Sequence, residues 1–168
     1  DIAHHFKALQ VELEETLMIG IQNAARAQYI LANEAERPDR LIVSSGLMRP
    51  LLRSAVGRVL LSLKSDGEVS GWIRRCNAEE PNPERRASAT DFMQMMTQVR
   101  RQGYAETAGD VTPGFGTIAV AFSSPMDAQP MAIACGMPLS RLQQRKPDVI
   151  ASLQAFAAAY PRGDLETV

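Results

Sequence analysis

Histidine, cysteine and long apolar runs are all scarce in this chain, and each scarcity removes a class of function. The two histidines, His4 and His5, are adjacent near the amino terminus. Neighbours on a helix point in different directions, so a metal pair at i, i+4 is excluded, and both read as solvated surface residues. With no other histidine and no G-x-S-x-G elbow, a Ser/His/Asp triad has nothing to stand on. The two cysteines, Cys76 and Cys135, lack a Cys or His at zinc-ligand spacing. They are also too few and too far apart for a disulfide scaffold, which points to the reducing cytoplasm. Cys135 lies in an apolar stretch and reads as a buried, inert thiol. The segment GDVTPGFG, Gly109 to Gly116, is followed by no Gly-Lys-Ser/Thr, and its Pro113 removes a backbone donor, so it is no phosphate loop. The expectation is a protein without metal, cofactor or catalytic apparatus.

Positive charge is not in excess either. Lysine plus arginine number 18 against 19 for aspartate plus glutamate, so nothing drives phosphate binding through counterion release. The longest apolar stretches, such as Gly116 to Phe122 and Met131 to Met137, fall far short of the run of about 20 that spans a bilayer. No basic n-region and apolar h-region opens the chain. What remains is an ordinary globular composition, 45% hydrophobic and 22% charged over 168 residues, enough for one domain covering 1–168. Asp1 runs straight into an apolar periodic segment, which predicts a piece of a longer chain.

Ile2, Phe6, Leu9 and Leu13 recur at helical spacing and predict an amphipathic first helix. Glu12, Glu14 and Glu15 near its end read as a solvated face. Thr16 to Ala24 reads as a strand, Tyr29 to Glu34 as its hairpin partner, and Arg40 to Ser44 as a third strand. Gly46 breaks the pattern. Leu51 to Ser65 then carries apolar residues around much of a helix, with Ser54, Ala55 and Gly57 small at its start. Small side chains there let backbone amides approach an anion at a helix amino terminus, or simply allow close packing on a sheet; the residues leave both open. Trp72 and Ile73 suggest a short helix. Ser88 caps a helix carrying Phe92, Met95, Met96 and Val99 that ends near Gly103. Tyr104 to Ala108 reads as an edge strand, Thr117 to Phe122 and Pro130 to Gly136 as a hairpin, and Val149 to Tyr160 as a closing helix with Pro147 and Asp148 in its first turn. Strands and helices come in blocks, which argues for an α+β fold: an antiparallel sheet with helices packed on its faces.

Five stretches in order carry a resemblance: TLMIGIQNA; G-x-x-x-P-L-x-x-x-A-x-G-R-x-L-L from Gly46 to Leu61; V-R-R-Q-G-Y-A from Val99; D-x-x-x-G from Asp110; and I-A-V-A from Ile118, before a strand ending near Pro138 and Ser140-Arg141. Across nearly its whole length the chain resembles the effector-binding domain of the IclR family of bacterial transcriptional regulators. The resemblance implies a GAF-like or profilin-like domain that binds a small metabolite, commonly an organic acid. It also implies a winged helix-turn-helix before Asp1 that makes the DNA contacts, and association into homodimers or homotetramers. By the same likeness the effector-binding positions are Arg49, Ser54, Ala55, Val56, Ala108, Asp110, Thr117 and Ala134. A GAF-like sensor from another signalling protein and an enzyme with an unrecognised site are the alternatives the residues leave open.

Two departures from the family pattern bear on the ligand. Leu52 and Arg53 stand where a His often follows P-L, and Thr107 and Ala108 stand where an acidic pair often follows G-Y-A, leaving Asp110 alone. Fewer carboxylates near the pocket favour an anionic ligand. Arg49, just before the small-residue helix start, is the candidate partner of an effector carboxylate, and Val56 with Phe115 or Phe122 is the candidate apolar complement for an aromatic or short aliphatic acid.

Overall fold

In a computed structural model that describes residues 1–163, twelve short segments fold around one sheet. Helix α1 (Ile2–Leu13) leads into strands β1 (Thr16–Asn23), β2 (Arg26–Asn33) and β3 (Met48–Pro50). Helices α2 (Ala55–Leu61), α3 (Asp66–Glu79) and α4 (Ala89–Gln102) follow, with a 3₁₀ turn at Pro83–Arg85. Strands β4 (Ala105–Ala108), β5 (Phe115–Ser123) and β6 (Pro130–Pro138) and helix α5 (Leu139–Ala158) complete the fold. The six strands run antiparallel in the order β3-β2-β1-β6-β5-β4, so β4 is an edge strand. The expected α+β architecture, an antiparallel sheet with helices on both faces, is what forms.

Alternation along the strands sorts their side chains onto two faces. Leu17, Ile19, Ile118, Val120, Phe122, Ile133, Cys135 and Met137 point one way, into a core closed by Phe6, Leu9 and Leu13 of α1 and Leu142, Val149, Leu153 and Phe156 of α5. Met18, Ala27, Tyr29, Ala105, Ala119, Ala132 and Ala134 point the other way, under α2, α3 and α4. Each large side chain buried from water contributes about 1.5–3 kcal/mol, so the α1/α5 face carries a large share of the stabilisation. On the other face the alanines let α2 sit close: a Cβ placed on Gly20 would stand 2.7 Å from Val56 Cγ1.

Several expectations are corrected. Arg40 to Ser44 forms no strand; the third strand is β3, paired with β2 through Arg26↔Pro50 and Gln28↔Met48. Leu41 and Val43 do point inward and Ile42 outward, but the segment has no ladder partner, and its alternation reports burial only. The helix expected from Leu51 begins at Ala55, because Ser54 is extended and its hydroxyl caps the Gly57 amide at 3.0 Å. Trp72 and Ile73 sit not on a short helix but on the 14-residue α3, opened by Ser65, whose hydroxyl accepts from the Glu68 amide and donates to the Glu68 carboxylate, both at 3.2 Å. Helix α5 starts at Leu139 and keeps Pro147 inside it. Pro147 and Gln143, whose carbonyl loses its partner there, are both exposed, so water can take the missing bond.

Two side chains read as solvated are not. His5 Nδ1 lies 3.0 Å from the Tyr160 hydroxyl and its ring packs on Phe156 at 4.5 Å, tying α1 to α5. Glu15 is 1% exposed, held by Arg141 through contacts of 2.7 and 3.2 Å. The Ser88 cap and the Gly103 stop of α4 form as expected, with Ser88 Oγ accepting from Asp91 N and Gly103 left-handed at φ 81.

Candidate functional site

At the open edge of the small-residue face, the turn from β3 into α2 meets the ends of β4 and β5 and leaves a cavity. Tyr29, Leu41, Arg49, Ser54, Ala55, Thr107, Val111, Thr112, Phe115 and Thr117 line it. Arg49 is the one charged side chain among them. Four hydroxyl-bearing residues of the lining are Ser54, Thr107, Thr112 and Thr117, and Tyr29 adds a phenol. The cavity is partly open to solvent and its free volume is about 20 Å³, room for one water molecule, so a carboxylic acid fits where side chains of the lining move aside.

Arg49 is placed by the pairing of Arg49 with Ala27 at the sheet edge, which sends its side chain toward the α2 face. Its guanidinium stands over the Tyr29 ring, 5.9 Å from the centroid. Burial holds the Tyr29 phenol above its ordinary pKa, against the opposing pull of Arg49. The phenol is therefore neutral at pH 7 and leaves the arginine charge uncompensated. Among the described residues no carboxylate forms an ion pair with Arg49.

Of the expected effector-binding positions, the fold brings Arg49, Ser54, Ala55 and Thr117 together at this cavity. The other four do not line it. Val56 is buried over Gly20, and Ala134 is fully buried on the same sheet face in the cluster beneath α2. Ala108 is exposed and donates its amide to Asp110 Oδ2 at 2.7 Å. The Asp110 carboxylate pairs with Arg58 at 3.4 Å, and its carbonyl accepts from Arg53 at 2.8 and 3.0 Å. Asp110 thus pins the 109–114 loop to the α2 side and puts no negative charge into the cavity. Sequence reasoning missed Tyr29, Leu41, Val111 and Thr112; Thr107 and Phe115, expected near the pocket, do line the cavity, whereas Phe122 faces the α1/α5 side of the sheet. For Tyr29 the signal was available, as an aromatic on the inward phase of β2; Leu41 reaches the cavity from a segment with no regular structure.

A second hollow of about 340 Å³ lies open on the surface between Gln10, Val11, Glu14, Glu36 and Arg37. It has no aromatic wall, and its two glutamates would repel an anion. Among the described residues no group of three His, Cys, Asp or Glu side chains could hold a metal ion, and none of the helices described is long and apolar enough to cross a membrane. Cys135 faces away from the cavity, on the large-residue side of the sheet, where burial pushes its thiol up to about 12.

The family of bacterial transcriptional regulator IclR C-terminal domains matches residues 2–161. Among solved structures, the effector domain assigned to the transcriptional regulator IclR of Acinetobacter sp. ADP1 is 28% identical, with a TM-score of 0.83 over 94% of this chain and 92% of that one. The IclR of Thermotoga maritima shares the fold at a TM-score of 0.81 and 17% identity, over 94% of this chain and 65% of that one. An IclR family transcriptional regulator from Brucella abortus does so at 0.77 and 17%, over 95% and 62%. This chain therefore spans about two thirds of the longer regulators it resembles. No curated protein sequence matches it.

Proposed function

The chain belongs to the bacterial transcriptional regulator IclR C-terminal family, and from that premise we propose that it senses a small carboxylic acid for a DNA-binding regulator. The effector sits in the cavity beside the start of α2, with its carboxylate on Arg49. Occupancy is passed to a winged helix-turn-helix upstream of α1, which makes the DNA contacts in the cytoplasm as part of a homodimer or homotetramer.

The observation that carries the reading is the charge of the lining. One arginine, set over a neutral tyrosine and among hydroxyls, faces a cavity that contains no carboxylate. A carboxylate placed there gains a charge-assisted contact, partly shielded from water, worth about 1.5–3 kcal/mol. Leu41, Val111 and Phe115 supply the apolar complement. Serine and threonine hydroxyls can donate to the second carboxylate oxygen or to a hydroxyl of the ligand.

A thermal-shift screen tests this, because a ligand bound only by the native state raises the unfolding midpoint. Short-chain and aromatic carboxylic acids are compared with their amides. At least one acid should raise the midpoint in a concentration-dependent way while its amide does not. A screen in which no acid shifts the midpoint, or in which acids and amides act alike, contradicts the assignment.

A further inference from the structure

We propose that the buried Glu15–Arg141 pair mechanically couples the cavity to the end of α1, so that release of the 109–114 loop loosens that helix. The loop is hinged at both ends on left-handed glycines, Gly109 at φ 78 and Gly114 at φ 83, with no atom within 4 Å of either missing Cβ. Between the hinges, Val111 and Thr112 line the cavity. Arg53 and Arg58 latch the loop by the three contacts to Asp110 described above. Leu41 lines the same cavity from the segment before β3, so the loop and that segment are two of its walls.

Both of those walls lead to the same pair. The Gly114 carbonyl accepts from the Leu139 amide at 2.9 Å, the first residue of α5, whose start has no side-chain cap. Leu139 and Leu142 close over Gly116 just past the hinge. The same two turns of α5 carry Arg141, which grips Glu15 and also Asp39, and Arg145, which donates to the Leu13 carbonyl in the last turn of α1 at 2.6 Å. On the other wall, the Leu41 carbonyl accepts from the Thr16 hydroxyl at 2.7 Å, one residue past Glu15, and Asp39 lies two residues before Leu41. Arg141 holds the buried Glu15 at 2.7 Å, with Arg37 at 3.5 Å and Arg145 at 3.9 Å farther off, and parting a buried carboxylate from its nearest arginine is costly, so Glu15 and Arg141 move together. Movement at either wall therefore reaches the α1–β1 junction through α5 or through the Asp39 to Leu41 segment.

The use of this coupling in signalling rests on the cavity being the effector site, but the coupling itself is testable with no ligand. Amide hydrogen exchange is followed in the free protein for the parent, Arg53→Gln, Arg141→Gln and the double variant. Arg53→Gln should speed exchange at 109–115 by about tenfold and at Leu9 to Glu15 by about threefold or more, leaving α3 unchanged. In the Arg141→Gln background the same substitution should still free the loop but alter α1 less than half as much, the remainder passing through Arg145 and Leu13. Loop release with α1 unaffected, an α1 response as large without Arg141 as with it, or no loop release at all would each overturn the proposal. Arg141→Lys keeps the charge beside Glu15 but not the two-point grip, and serves the same comparison if Arg141→Gln does not fold: a full parental α1 response in it is equally contradictory. Failure of this coupling leaves the acid-binding reading standing, and a negative acid screen leaves the exchange result intact.

Discussion

The two faces of the sheet are built from the same six strands and filled in opposite ways. Toward α1 and α5 the strands present leucine, isoleucine, phenylalanine and methionine, closed by an aromatic group in which Phe122 meets Phe156 edge-on at 5.4 Å. Toward α2 they present mostly alanine and glycine, with threonines at the rim, and there the structure leaves a cavity. Large side chains on a flat sheet interdigitate with helices and leave no room, whereas small ones bring a helix close and leave gaps where its end lifts away. Both faces bury a core: on the first the strands supply the bulk, on the second the helices do, through Val56, Leu60, Ile73, Phe92 and Met96, and it is the second that leaves room for a ligand.

Substitution can break that comparison. Phe156→Ala, on the large-residue side, should cost about 3–5 kcal/mol in urea unfolding; a loss near zero would show that this face is not tightly packed. On the small-residue side the damage should come from addition. Gly20→Ala places a methyl group 2.7 Å from Val56 Cγ1 and should cost about 1–3 kcal/mol through overpacking. Val56→Ala in the same chain should restore part of the loss, and a double variant as unstable as the sum of the singles would mean that the contact is not what limits size there. The smallest effect is chemical. Cys135 lies within the large-residue core with its thiol pushed up to about 12, whereas Cys76 on α3 is half-buried and raised by burial and by Glu79. Since the thiolate is the reactive form, a disulfide reagent at pH 8 should label Cys76 in the native protein and Cys135 only upon unfolding. Equal labelling rates would mean that the large-residue face opens as readily as the other.

Local features were legible in the sequence because they are local. The α1 stripe, the Ser88 cap with its Gly103 stop and the β5–β6 hairpin each follow from residues within one or two turns. Pairing at long range was not. Glu15 and Arg141 are 126 residues apart, and nothing near Glu15 distinguishes it from the exposed Glu12 and Glu14. The inward phase of Leu41 and Val43 was visible, but the absence of a partner strand is a property of the whole sheet. At the cavity the same division holds. Arg49, Ser54 and Ala55 are neighbours in sequence and were found together, whereas Tyr29, Thr107 and Thr112 join them only when three separate segments meet. Val56 and Ala134 show the limit from the other side, since a residue beside the site in sequence or on its sheet face can still be covered by α2.

On the proposed reading, Arg49 is what makes the small-residue face bind an acid. Titration calorimetry of the parent and Arg49→Ala with an acid that raises the unfolding midpoint tests it most directly. Arg49→Ala should weaken binding of that acid by about 10–100-fold while its unfolding midpoint without ligand stays close to the parent's. An Arg49→Ala variant that binds the acid as tightly as the parent would contradict it.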